Sequence, residues 1–281
     1  MSKGKLYICG TPIGNLEDIT LRTLRILKEV DLIAAEDTRR TKQLLNSYDI
    51  EGNLTSYHEH NAKDKAEILL SKLEAGLDIA LVSDAGMPLI SDPGYRLVKL
   101  LADEGVEVVP IPGPTAMTTA LVVSGLPSDR FVFEGFLPRK GSDRVKHLEG
   151  LTGEERTMIF YEAPHRLLKT LKDILEVLGD REMVVCRELT KKFEEKARGK
   201  VSQLIDKFAE KRPKGEIAIV IEGGVKKEID NYWEDLSILE HLKFEMEEGL
   251  TKKKAIKKVA KQRDLPKSEV YQIGTKIKID R

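Results

Sequence analysis

The 281-residue sequence is short of cysteine, of aromatic residues and of net charge, and these shortages exclude several kinds of protein. Its two cysteines, Cys9 and Cys186, stand apart inside apolar runs. They form no Cys-x-x-Cys pair and no zinc-ligand spacing, so they read as small buried hydrophobes. A chain of this length builds a core without a disulfide or metal staple. The 47 basic and 47 acidic residues cancel, so overall charge does not point to a polyanionic partner. No apolar run approaches the roughly 20 residues that a membrane helix needs. A strand-like run begins at Lys5 and a Gly/Pro turn follows at once, which does not match a signal peptide, and a cytoplasmic location is expected. GxGxxG and a lysine-bearing phosphate loop are both missing, and with them the dinucleotide and nucleoside-triphosphate fingerprints.

What is present is a regular alternation. Short apolar strands at Leu6 to Cys9, Asp31 to Ala35, Leu54 to Tyr57, Ile79 to Ser83 and Val106 to Ile111 are separated by helical stretches. Those stretches run from Thr20 to Glu29, from about Thr38, from Ala62 to Glu74, from Asp92 to Glu104 and from Thr115 to Val123. The pattern predicts a parallel sheet covered on both faces. Ser124-Gly125-Leu126-Pro127 is a turn-rich break. A second α/β unit follows, with strands at Phe131 to Gly135, Met158 to Tyr161, Met183 to Cys186 and Ile217 to Ile221. Its helices fall near Lys140 to Leu148, Pro164 to Leu178 and Val201 to Lys211, and its strand directions do not follow from the sequence.

A third unit reads as all helical, over Trp233 to Glu247, Thr251 to Lys261 and Lys267 to Tyr271. Asp264-Leu265-Pro266 breaks the last two apart in a helix-turn-helix spacing. The expected division is 1–124, 125–228 and 229–281. From His241 onward there are twelve Lys and Arg residues against six Asp and Glu. Such a basic segment on a neutral body is either the footprint of a nucleic-acid contact or a solvated helix face.

In an open parallel sheet, ligands bind beyond the carboxyl ends of the strands, so the loops that follow strands carry the argument. Gly10-Thr11-Pro12-Ile13-Gly14-Asn15 is either a plain tight turn or a place where backbone approaches a ligand closely. In Ser83-Asp84-Ala85-Gly86-Met87-Pro88-Leu89-Ile90-Ser91-Asp92-Pro93-Gly94, Asp92 reads as the cap of the next helix with Pro93 at its first position. Asp84 is left as the ligand candidate, an acceptor for ribose hydroxyls. Pro112-Gly113-Pro114-Thr115-Ala116 opens a helix at which Thr115 either serves as the cap or turns its backbone N–H to a ligand. Phe160-Tyr161-Glu162-Ala163-Pro164-His165-Arg166 crowds polar groups into one turn, with Pro164 suited to a helix start. Glu36-Asp37-Thr38-Arg39-Arg40 and Tyr57-His58-Glu59-His60-Asn61 follow two more strands, and the second lacks the spacing of a metal site. Arg187-Glu188 reads as a structural ion pair.

Taken in order, GTPIGN, AEDTRRTK, YHEHN, SDAGMPLISDPG, PGPTA, FYEAPHR and RELTKKFEE form a pattern that closely resembles the bacterial 16S ribosomal RNA (cytidine) 2′-O-methyltransferases, a family of the tetrapyrrole methylase, or class III, superfamily. The resemblance runs from about Leu6 to Gly223, and the basic C-terminal unit is similar to the small helical domain this family carries. Met87 and Leu89 stand where the family pattern has a smaller residue.

The resemblance implies two α/β domains with S-adenosylmethionine in the cleft between them, plus a small C-terminal helical domain. It implies cofactor contacts at Pro12, Asp84, Ala85, Gly86, Ile90, Ser91, Thr115, Ala116, Tyr161, Leu189, Gly215, Ile217 and Ala218. The implied reaction is 2′-O-methylation of a decoding-centre cytidine in 16S rRNA within the small ribosomal subunit, by a homodimer; no metal site is read from the residues themselves. A ribose hydroxyl attacks only as its proton leaves. The candidate acceptors are Asp37, His58, Glu59, Glu162 and His165, with Glu59 or His58 preferred. Arg39, Arg40, Asn61 and Arg166 are the candidate substrate contacts, since guanidinium groups pair well with phosphates. Two other readings differ in class. One is the same fold acting on a tetrapyrrole or diphthamide-type acceptor, and the other is a non-catalytic rRNA-binding assembly factor, which has no need of cofactor loops.

Overall fold

The computed structural model describes all residues except 1, 93, 211–212, 225–232, 234–235, 264 and 276–281. The chain divides into two compact units, Met1–Gly224 and Val225–Arg281.

The first half of the larger unit is the expected alternation. Its elements are β1 (Leu6–Cys9), α1 (Leu21–Glu29), β2 (Leu32–Ala35), α2 (Thr38–Asn46), β3 (Leu54–Ser56), α3 (Ala62–Glu74), β4 (Ile79–Val82), α4 (Tyr95–Asp103), β5 (Val108–Ile111) and α5 (Ala116–Ser124). The strands pair in the order β3-β2-β4-β1-β5, all parallel. The central strand β4 is apolar throughout and wholly buried, as a strand covered on both faces must be. One core cluster holds Leu69, Leu73, Leu97 and Leu101 under one face, and another holds Ile26, Leu27 and Leu45 under the other.

The second half contains β6 (Phe131–Phe136), α6 (Gly141–Gly150), β7 (Thr157–Glu162), α7 (Leu167–Leu178), β8 (Glu182–Arg187), β9 (Glu195–Lys200), α8 (Val201–Glu210) and β10 (Ile217–Ile221). Its sheet runs β6-β7-β10-β8-β9 and is mixed, with β6 and β7 parallel and the other pairs antiparallel. The strand β9, Glu-Lys-Ala-Arg-Gly-Lys, is absent from the sequence reading because it is an edge strand that buries only Ala197. The helix α5 packs on this second sheet through Ala120 and Leu121, beside Ile159, Val184 and Val220. The Met117 N–H donates to the Tyr161 hydroxyl oxygen at 3.0 Å, which fastens α5 to the end of β7.

The smaller unit holds α9 (Ile238–Glu247), α10 (Lys252–Gln262) and α11 (Lys267–Gly274) around Leu242, Ala255, Ile256, Val259, Ala260 and Val270. Ser237 and Glu240 form a reciprocal cap on α9. The helix expected from Trp233 therefore begins at Ile238. Asp264, part of the expected break, lies outside the described residues. Lys253, Lys254, Lys257 and Lys261 lie on the exposed face of α10. Among the described residues no helix is long and apolar enough to cross a membrane.

Candidate active site

Three loops at the carboxyl ends of the parallel strands are locked together by backbone. The Thr11 N–H donates to the Gly86 carbonyl at 2.9 Å, and the Gly86 N–H returns the bond to the Thr11 carbonyl at 3.1 Å. The buried Thr11 hydroxyl also donates to the Ser83 carbonyl at 3.2 Å. Gly10 and Gly113 meet so closely that a Cβ on Gly113 would lie 2.8 Å from the Gly10 Cα, which explains glycine at both positions.

These loops and the ends of β6, β7, β8 and β10 enclose a cavity of about 410 Å³, within the range usual for small-molecule and cofactor sites. Ile13, Met87, Ile90, Ala116, Phe136, Cys186, Leu189, Ile217 and Ala218 give it an apolar lining. Its ionisable lining is of one sign. Glu36, Asp84, Asp92, Glu162 and Glu216 line it, and among the described residues no Lys, Arg or His does.

These carboxylates are not equivalent. Glu162 is fully buried and committed: Oε1 accepts from the Ala163 N–H at 2.7 Å and from Arg166 Nε at 2.6 Å, and Oε2 accepts from the Thr170 hydroxyl at 2.5 Å. Glu216 pairs with Lys191 at 3.0 Å. Asp84 pairs with the exposed Arg40 at 3.1 Å and accepts the Asp37 N–H at 3.1 Å. Glu36 accepts the Asp84 N–H at 3.4 Å. Among the described residues no cation pairs with Glu36 or Asp92. Burial pushes the Asp92 carboxyl up to about 6; the Glu36 charge adds to this, the Ser83 hydroxyl opposes it and Asp84 adds to it again. The Cys186 thiol is raised to about 11, chiefly by burial, and takes the place of a small apolar residue in the wall.

Of the expected cofactor contacts, Asp84, Ala85, Gly86, Ile90, Ser91, Thr115, Ala116, Tyr161, Leu189, Gly215, Ile217 and Ala218 line this cavity, whereas at the first loop Ile13 lines it in place of Pro12. Thr115 caps α5, accepting from the Thr118 N–H at 3.4 Å.

Of the five expected proton acceptors, only Glu162 belongs to the wall. Asp37 caps α2 and chelates Arg39, and these bonds lower its carboxyl to about 2. His58 faces Asn61, with Nε2 at 3.3 Å from the amide nitrogen. Glu59 and His165 are exposed. Asn61 braces its own turn, accepting the His58 N–H at 2.9 Å and donating to the Ser56 hydroxyl at 3.1 Å. Arg39 is free of the core, whereas Arg166 is half-buried against Glu162 and the Leu137 carbonyl.

Three local expectations are corrected. Asp92 does not cap α4: the helix starts at Tyr95 behind Gly94, whose φ of 138° only glycine adopts readily, and Asp92 turns to the cavity. Pro93 lies outside the described residues. Pro164 precedes the start of α7 by a full turn and lines the cavity. Arg187 and Glu188 do not pair with each other. Arg187 reaches Glu195 at 3.0 Å, and Glu188 reaches Lys191 at 2.9 Å.

The family model for Tetrapyrrole (Corrin/Porphyrin) Methylases matches residues 5–205. A Halalkalibacterium halodurans protein, ribosomal RNA small subunit methyltransferase I, is 50% identical over 273 residues, 96% of this chain and 94% of its own. The protein of the same name from Thermotoga maritima is 56% identical over 220 residues, 78% of this chain and 99% of its own. The crystal structure of uroporphyrin-III C-methyl transferase from Thermus thermophilus, complexed with S-adenyl homocysteine, superposes with a TM-score of 0.54 at 21% identity, over 77% of this chain and 97% of that one. The chain therefore belongs to the tetrapyrrole methylases, a family of S-adenosylmethionine-dependent methyltransferases, and within them to the ribosomal RNA small subunit methyltransferase I group.

Proposed function

We propose that this chain methylates the 2′-hydroxyl of a cytidine ribose in the decoding centre of 16S rRNA, using S-adenosylmethionine. The observation that carries the cofactor reading is the cavity's ionisable lining, acidic throughout, beside an apolar wall. A phosphate-bearing cofactor would meet like charge there, whereas a sulfonium and an ammonium meet opposite charge. Asp84 to Gly86, Ile90-Ser91, Thr115-Ala116, Tyr161, Leu189 and the β10 opening at Gly215 to Ala218 would hold the cofactor. When bound it supplies an electrophilic methyl carbon, and the chain supplies position and electrostatics.

Ribosomal RNA as acceptor is supported by relatives that share about half of this sequence along nearly all of it. The tetrapyrrole enzyme shares only the fold. A binding factor without catalysis would have no use for a cavity of this lining. Arg39 and Arg40, exposed at the start of α2, are suited to phosphates. Asn61 and Arg166 act as braces of their own turns. The family resemblance also supports a homodimer and the division at 124 and 228, and a ribosomal substrate supports a cytoplasmic location.

Calorimetry tests the cofactor reading. S-adenosylmethionine binds in the micromolar range or tighter, and ATP at the same concentration does not compete. Equal binding of ATP, or no binding of S-adenosylmethionine, contradicts it.

A further inference from the structure

We propose that Asp92 is the catalytic base of this active site, the group that receives the proton of the attacking hydroxyl. The inference rests on the methyl-transfer reading above and names a residue outside the five that the sequence suggested.

Four observations carry it. Asp92 lines the cavity, unlike Asp37, His58, Glu59 and His165. Its carboxylate has no cationic partner among the described residues, whereas that of Glu162 has three hydrogen-bond donors and that of Glu216 has a lysine. The loop that presents it is held in an unusual shape: Leu89 (φ 72°) and Ser91 (φ 65°) are left-handed without being glycine. Such a conformation persists in a residue other than glycine only where the surroundings enforce it, often at functional sites. The surroundings here are visible. Gly135, at the bulge in β6, sits so close that a Cβ there would lie 3.2 Å from the Ser91 hydroxyl.

The groups facing Asp92 set its proton affinity. They are Glu36 after β2, Ser83 and Asp84 after β4, and Tyr161 at the end of β7. Burial and the two carboxylates raise the carboxyl to about 6. It is therefore ionised at neutral pH yet basic enough to take a proton, close to the optimum for a general base. As the ribose oxygen forms its bond to the methyl carbon, the carbon–sulfur bond breaks and its electron pair goes to sulfur. The hydroxyl proton moves to an Asp92 carboxylate oxygen and leaves later to solvent.

The test pairs turnover with proton-linked binding. Wild type, Asp92→Asn and Asp92→Glu are compared as full-length protein. S-adenosylmethionine binding at pH 6 is measured by calorimetry in two buffers of different ionisation enthalpy. A cation entering beside a carboxyl that titrates near 6 releases protons, so wild type shows a release that Asp92→Asn loses while keeping affinity within about threefold. Methylation by Asp92→Asn falls about a hundredfold or more in kcat, the range expected for a lost base. The acid limb of the wild-type rate profile disappears, and Asp92→Glu recovers part of the rate. Asp92→Asn turning over at more than a tenth of the wild-type rate would overturn the proposal. So would a loss confined to cofactor affinity, or the absence of proton release from wild type. Failure of wild type to bind the cofactor at all would instead defeat the underlying reading of the cavity.

Discussion

Glu162 is a carboxylate whose accepting capacity is already in use. Both oxygens are occupied, by Arg166, Thr170 and the Ala163 N–H, and the side chain is fully buried. Removing one partner of such a pair strands a buried charge, which typically costs about 3–5 kcal/mol. Glu162→Gln is therefore expected to lower the melting temperature by about 6 °C or more, with cofactor affinity changed less than tenfold in the folded fraction. An unchanged melting temperature measured by scanning calorimetry would show that the pair is not structural.

Legibility differs from residue to residue. The cavity residues that stand in loops directly after strands, such as Asp84 and Thr115, were readable because fold topology puts such loops at ligand sites. Asp92 was not. Its local sequence, an acid followed by Pro and Gly ahead of a helical run, has all the marks of a cap, and only the left-handed turn at Leu89 and Ser91 redirects it. Glu36 was hidden for a related reason, sitting one residue before an Asp that does cap its helix.

At the scale of elements, the strands buried on both faces were legible because a continuous apolar run has few other places to go. The edge strand β9 was not, since four of its six residues are charged and only Ala197 is buried. The three-helix unit carries a less visible feature, a buried polar network. Arg263 Nε donates to His241 Nδ1 at 3.1 Å, Trp233 stacks on the imidazole at 5.4 Å, and Lys258 reaches the buried Glu245 at 2.7 Å. Burial and then Arg263 hold the His241 imidazole below its ordinary value, against the pull of Glu245.

The unfolded chain titrates near 6.5. The penalty is therefore absent above that pH and grows as pH falls from 6.5 through the lower folded value. Hydrogen-exchange protection of α9 and α10 is expected to be level between pH 8 and 7 and to decline below 6.5. Protection that stays level or rises on acidification would contradict the assignment of neutral His241.

At the scale of the molecule, the larger unit has nearly the length of the whole Thermotoga maritima relative, which spans 220 residues of this chain. The smaller unit presents Lys253, Lys254, Lys257 and Lys261 along α10. Charge reversal separates an RNA clamp from a solvated helix face here. Changing all four to Glu should weaken rRNA binding and flatten its dependence on salt, because every phosphate that is no longer neutralised takes about one unit off the slope of log K against log salt. An unchanged slope would make the lysines a solvated face only.

The most direct test of the whole account follows the methyl group itself. Purified protein is incubated with radiolabelled S-adenosylmethionine and small ribosomal subunits from cells that lack the protein, and the rRNA is then digested and mapped. The account predicts label on a ribose 2′-oxygen of a single decoding-centre cytidine. Label on a base, on protein or at many riboses, or no label from protein that binds the cofactor, would contradict it.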